Sequence, residues 1–198
     1  MLTLILAESS LEIIPNELQN HASVISYCKR NKKKSSQTLL DNSWHFAAMK
    51  GIKNEIKRGR PDIIHLTLLA ICNTPLYRNN KLKIFVHTIN DKVISISDNI
   101  RLPKSYHRFQ GLIEKLYKNK KIELDNITLL ELYDMTFEET AAAITEDSCI
   151  VIGGFQKGHF DEKILKKFDD LKSLHVDSLE AHVIASRILY EYEKTIFI

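Results

Sequence analysis

The segment Ser148-Cys-Ile-Val-Ile-Gly-Gly-Phe-Gln-Lys-Gly158 constrains the fold more than any other, because a short apolar run breaks into a loop that holds three of the chain's six glycines. A run of this length bounded by glycines reads as a strand buried on both faces of an α/β sheet. Open α/β sheets place their ligands at the C-terminal ends of such strands, so the loop is a candidate ligand site as well as a candidate structural turn. Its spacing matches neither the G-x-G-x-x-G turn of dinucleotide-binding folds nor the Lys-Ser/Thr ending of a P-loop, so neither NAD nor ATP is indicated.

At 198 residues and 44% hydrophobic, the chain can build one sizeable core with a smaller appendage. Lys and Arg number 28 against 25 acidic residues, so any preference for a polyanion must come from clustering rather than from the formal net charge of +3. Cys28, Cys72 and Cys149 are odd in number, widely separated and set in apolar surroundings. That excludes a disulfide framework and reads as inert core thiols in a reducing compartment. The apolar run Leu2 to Ala7 is too short for a signal peptide or a membrane span, which gives an expectation of a soluble, cytoplasmic protein without a membrane partner.

Leu2 to Ala7 opens as a strand, and Leu11 to Ile25 follows with helical spacing. Lys29 to Ser36 has five cations and no apolar residue, and reads as an exposed loop that is either solvated or in contact with nucleic acid. Gly59-Arg-Pro-Asp starts a helix over Ile63 to Cys72, with Pro61 at the first position and Asp62 complementing the dipole. Lys81 to Ile89 and Val93 to Ser97 form a hairpin across Asn90-Asp91. Pro103 to Lys118 is helical, with Tyr106, Phe109, Ile113 and Leu116 as its apolar stripe. Beyond it, strands at Ile127 to Glu131, Cys149 to Ile152 and Leu171 to Val176 alternate with helices at Phe137 to Ile144, Phe160 to Lys167 and Leu179 to Tyr190, which predicts a parallel-type sheet in the C-terminal half.

Lys104, Arg108 and Lys115 share the face of their helix opposite Phe109 and Ile113, and Arg101 stands just before it. Asp62, two residues from Arg60, is placed to hold that guanidinium by a bidentate pair. Arginine matters at such a place because its planar fork fits phosphate oxygens and stacks on bases. A solvated basic face remains the alternative. The eight histidines show neither H-E-x-x-H nor C-x-x-C partner spacing, so no metal site is expected. No G-x-S-x-G elbow or Cys-His signature marks a covalent nucleophile either.

Four ordered motifs together carry a resemblance. Arg60-Pro-Asp-Ile-Ile-His, Arg101-Leu-Pro-Lys-Ser-Tyr-His-Arg-Phe-Gln-Gly-Leu, Gly153-Gly-Phe-Gln-Lys-Gly and Ser178-Leu-Glu-Ala before the last helix resemble the SPOUT-class methyltransferases of ribosome biogenesis known as the essential-for-mitotic-growth or nucleolar-essential-protein family. Members methylate ring nitrogen one of a pseudouridine in small-subunit rRNA, and the likeness runs from about Leu2 to Tyr190 in the manner of a compact archaeal-type member. It implies one domain over residues 1–198: an α/β knot, a deep C-terminal trefoil at about 125–198, with a β-hairpin and helix extension. True knots are exceptional, so only the resemblance carries this expectation.

By the same resemblance, S-adenosylmethionine is lined by Thr128 and its neighbours, by Gly153 with Gly158, and by Leu174, His175, Val176, Asp177, Ser178 and Leu179. Arg60, Arg101, Lys104 and Arg108 contact RNA, with Lys104 where some relatives carry arginine. Asp62 is either the general base for the N1 proton or, as its adjacency to Arg60 favours, the brace of that arginine. Expected partners are small-subunit rRNA, a second copy of the chain paired through the apolar last helix, and other assembly factors or ribosomal proteins. Two rivals stay open: a SPOUT enzyme acting on another RNA nucleotide, and an assembly factor whose methyl transfer is dispensable.

Overall fold

The computed structural model describes residues 1–98, 100–124, 127–134, 139 and 148–197. Its strands are β1 (Leu2–Ser9), β2 (Leu82–Thr88), β3 (Lys92–Ile96), β4 (Lys121–Leu124), β5 (Ile127–Asp134) and β6 (Ser148–Gly153). They form one sheet in the order β4-β5-β3-β2-β1-β6. β1 lies parallel to both β2 and β6, whereas β2-β3, β3-β5 and β5-β4 are antiparallel. The helices are α1 (Ala22–Asn31), α2 (Asn42–Met49), α3 (Pro61–Ile71), α4 (Pro75–Arg78), α5 (Tyr106–Asn119), α6 (Glu162–Leu165) and α7 (Ala181–Phe197).

β1 is buried from end to end, Thr3, Glu8 and Ser9 included, as a strand flanked on both sides and covered on both faces must be. On one face α3, α5 and α7 supply Ile64, Leu68, Phe109, Ile113, Leu116, Ala185 and Leu189 to the main core. On the other, Ile5 and Ala7 meet Ile164 of α6, with Phe160 and Phe168 packed around it. α1 and α2 build a separate small core from Val24, Tyr27, Cys28, Ala48 and Met49. No described helix is long and apolar enough to cross a membrane.

Several sequence expectations are corrected here. The C-terminal strands are not a parallel set: β4, alternating Lys121-Ile-Glu-Leu, returns directly from α5 through the left-handed Lys120 and pairs antiparallel with β5. β6 is an edge of the described sheet with only Ile152 buried, and Cys149 is exposed rather than a core thiol. Burial on both faces depends on what covers a strand, which its own apolar run does not specify. Cys72 does behave as a core thiol, its pKa pushed up to about 12 by burial.

Leu171 to Val176 is irregular, with Leu171 62%, Leu174 45% and Val176 100% exposed. No described strand pairs with it, and without a ladder its backbone turns to solvent instead. The helix expected over Phe160 to Lys167 contracts to α6, capped by the Asp161 side chain. Leu11 to Ile25 gives only a short 3₁₀ turn after Pro15 before α1 begins at Ala22. The helix expected at Phe137 to Ile144 lies outside the described residues apart from Glu139.

Candidate functional site

The C-terminal ends of β1, β2 and β6 share one edge of the sheet, and the glycine loop sits there. Gly154 donates its N–H to the Ala7 carbonyl at 2.8 Å and accepts from Ser10 N–H at 2.7 Å, so the loop continues the β6-β1 pairing past the strand end. Only glycine fits at 154: a Cβ there would lie 2.2 Å from Ser9 Oγ, 2.7 Å from Ile64 Cδ1 and 2.8 Å from Ser9 Cα. Gly158 adopts φ +106°, a backbone conformation that L side chains rarely adopt.

Arg60 is brought to this edge by three links between the segment before α3 and alternate residues from the end of β1 onward. Lys57 Nζ donates to both oxygens of Glu8, at 2.9 and 3.1 Å. Arg58 grips Glu12 through Nε at 2.6 Å and Nη2 at 2.8 Å. The Arg60 N–H donates to Ser10 Oγ at 2.6 Å. The Glu8–Lys57 pair is buried, and it also ties in the second half of the glycine loop. Asp161 N–H donates to Glu8 at 3.0 Å and the Lys57 ammonium lies 4.9 Å from the centre of the Phe155 ring. Glu8 holds φ 48° at this point, where the pairing of β1 with β2 shifts register.

Pro61 takes the first position of α3 and Asp62 the first turn, as the sequence predicts. Asp62 meets the Arg60 fork with both oxygens, Oδ1 to Nε at 2.8 Å and Oδ2 to Nη2 at 2.7 Å. These hydrogen bonds hold the guanidinium pKa above its ordinary value against some loss of solvation, with smaller help from the charges of Glu180 and Asp41. Glu180 directly follows Leu174–Leu179, so the end of that exposed segment reaches the neighbourhood of Arg60.

Arg101, Lys104 and Arg108 are all exposed on the approach to α5 and its first turn. Their mount is fixed to α3: His65 Nε2 donates to the Pro103 carbonyl at 2.7 Å, and the His65 ring stacks on Phe109 with centroids 4.6 Å apart. The Tyr106 hydroxyl donates to Asp41 at 2.5 Å and Gln110 to the same carboxylate at 3.1 Å. Burial and this acceptor push the Tyr106 pKa far up, so it stays a neutral donor.

Arg101 and Lys104 line a cleft of about 550 Å³ together with Arg78, Asn73, Tyr77 and Ile100. Arg78 is a cation the sequence reading missed. It lies outside the four motifs, and only the packing of α4 near the Ile100–Leu102 strip puts it there. The structure does not bring Thr128 to the glycine loop. The registers place Leu130 level with Ile150, so Thr128 sits level with Ser148, at the start of β6 rather than its end. Four strand spacings, ~19 Å, also separate β5 from β6. Tyr133 and Asp134, at the other end of β5, lie at the same sheet edge as the C-terminal ends of β1, β2 and β6. Among the described residues no group of His, Cys, Asp and Glu is arranged to hold a metal ion.

The family model for the EMG1/NEP1 methyltransferases matches residues 4–193. A ribosomal RNA small subunit methyltransferase Nep1 from Thermococcus sibiricus is 36% identical over 98% of both chains, and one from Saccharolobus solfataricus is 38% identical over 94% of both. The crystal structure of Archaeoglobus fulgidus Nep1 bound to S-adenosylhomocysteine superposes with a TM-score of 0.88 at 32% identity, covering 97% of each chain. With the family model spanning nearly the whole length and the same mixed sheet in a solved relative, the chain belongs to the EMG1/NEP1 methyltransferase family.

Proposed function

We propose that the protein transfers a methyl group from S-adenosylmethionine to N1 of a pseudouridine in a loop of small-subunit rRNA, as a cytoplasmic step of small-subunit biogenesis. The observation that carries this reading is the Arg60–Asp62 fork, clipped to the same sheet edge as the glycine loop and near the mount of Arg101, Lys104 and Arg108. Relatives that are small-subunit rRNA methyltransferases, one of them bound to S-adenosylhomocysteine, support the chemistry. The single domain spans residues 1–198, with the cofactor held in a C-terminal trefoil knot at about 125–198. The protein acts as a homodimer through α7, whose Val183, Ile184 and Ile188 are half-buried and whose Tyr190 is exposed.

The site suits the cofactor because a glycine-bounded loop gives backbone groups close approach to an adenosyl group, and the polar segment from His175 to Ser178 adds exposed donors and acceptors. When bound, the cofactor supplies an electrophilic methyl group on sulfonium. Gly153, Gly158 and Leu174–Leu179 would hold it, while Arg60 would stabilise the negative charge that develops on the pseudouridine ring as N1 loses its proton. Both Asp62 oxygens are already engaged by Arg60, so Asp62 orients the arginine and the proton leaves to water. Arg101, Lys104, Arg108 and Arg78 neutralise phosphates on either side of the target. In sum, N1 gives up its proton to solvent and would take in its place the methyl group that the bound cofactor supplies.

The test is mass spectrometry of two hairpins after incubation with protein and labelled cofactor, one with pseudouridine and one with uridine in the loop. Methyl label is expected in the first alone, since N1 of uridine is bonded to the sugar and has no proton to lose. Comparable label in the uridine hairpin would overturn the target assignment.

A further inference from the structure

A second cationic surface lies further along α5, built from two chain segments some eighty residues apart. A groove of about 540 Å³ runs between the Lys32–Lys34 turn and α5 and is lined by Lys32, Lys34, Lys115 and Lys118, with Gly111 open at its wall. A Cβ at Gly111 would meet nothing within 4 Å. The turn is pinned in place by Glu114, which accepts from Lys33 Nζ at 2.7 and 2.8 Å and from Leu39 N–H at 3.1 Å.

Charge accounting in the groove is one-sided. Glu114 is its sole carboxylate and is spent on Lys33, and among the described residues no ion pair reaches Lys32, Lys34, Lys115 or Lys118. A merely solvated face intersperses both signs, whereas here four unpaired ammonium groups surround one concavity whose other lining is polar. The groove also continues the RNA mount. Arg108 and Lys115 are two helical turns apart on one face of α5, Gly111 lies between them and Lys118 one turn beyond, all opposite the buried Phe109, Ile113 and Leu116. From Arg108 to Lys118 the helix advances ~15 Å, enough to follow several phosphates of a nucleic-acid backbone.

We propose that this groove is a second phosphate-binding site, which holds the ribose-phosphate backbone of the RNA stem flanking the target loop without reading its sequence. The assignment rests on the RNA-methylating function proposed above, and it is point-charge recognition by lysine rather than the forked recognition of Arg60.

The experiment compares two RNAs by fluorescence anisotropy across a salt series: a minimal pseudouridine hairpin and the same loop on an extended stem. The variant is Lys32→Gln/Lys34→Gln/Lys115→Gln/Lys118→Gln, with the four Lys→Arg replacements as the charge-preserving control. For the extended RNA, affinity should fall about tenfold or more, and the slope of log K against log salt should flatten by about 3, four contacts at ~0.7–0.9 each. The Arg set should restore both, and the minimal hairpin should bind and be methylated by all three proteins within about twofold. Unchanged affinity and slope on the extended RNA would overturn the site. So would an equal loss on both RNAs, or a poly-glutamate peptide that competes for the groove as well as the extended stem does. Failure of the unmodified protein to methylate the minimal hairpin would refute the proposed function instead, while the binding comparison still decides the groove.

Discussion

Gly154→Ala is the sharpest test of how the glycine loop is built. The added methyl would sit 2.2 Å from Ser9 Oγ and 2.8 Å from Ser9 Cα, so rotating a side chain cannot relieve it; strand β1 or the loop itself must shift. The position is also hydrogen-bonded from both sides, at 2.8 Å to Ala7 and 2.7 Å from Ser10, so a shift costs pairing as well as packing. Overpacking of this kind costs about 1–3 kcal/mol, which for a chain of this length lowers Tm by about 2–12 °C. Thermal unfolding by circular dichroism, with calorimetric titration of S-adenosylmethionine alongside, measures both consequences. Adding Ser9→Ala removes the nearest atom, the hydroxyl that donates to the Leu6 carbonyl at 2.9 Å, so the double variant should recover part of the loss; the remaining contact with Ser9 Cα keeps recovery incomplete. A Gly154→Ala protein that melts with the unmodified chain and binds cofactor equally would show that the loop does not rest on β1 as described.

Glu8→Ala leaves the Lys57 ammonium buried without its partner and should cost about 3–5 kcal/mol in urea unfolding, while Glu8→Leu/Lys57→Met should recover much of it. Asp62→Asn should weaken hairpin binding and leave the pH profile of methyl transfer unchanged; a profile that loses its fall-off at acid pH would make Asp62 the base after all. His45 is kept neutral by burial, its pKa lowered, with Nδ1 accepting from Asp41 N–H at 3.1 Å and Nε2 buried without a partner among the described residues. Below about pH 6.5 the unfolded chain takes up a proton there that the native one does not, so stability should fall with pH under that point, and His45→Gln should flatten the slope of urea midpoints between about pH 7.5 and 5.

What could be read without coordinates follows the range of the physics involved. The start of α3 is a local matter of Pro61 and Asp62, and the stripe of α5 is a matter of period, so both stand where the sequence puts them. Asp62 bracing Arg60 is equally local, two residues apart on one turn. The failures are cases where a partner decides: β6 looks central by its own residues and is an edge of the described sheet, and Leu171 to Val176 looks like a strand but no described strand pairs with it. Thr128 is a matter of register, since knowing that it belongs to a strand does not say which end of the sheet it occupies. Arg78 and the lysine groove depend on distant segments meeting, which no local pattern records.

The clips from Glu8, Ser10 and Glu12 to Lys57, Arg60 and Arg58 have a consequence for motion. Irregular backbone usually opens at little free-energy cost and exchanges its amide hydrogens early, but here the approach to α3 cannot leave without breaking a buried ion pair, a bidentate grip and a backbone bond in succession. The backbone of Arg60 therefore inherits the protection of buried β1 rather than the mobility of a surface loop, and Asp62 fixes its guanidinium there. On the function proposed above, an RNA arriving at this edge meets a cation already in position, and little ordering entropy remains to be lost when it binds.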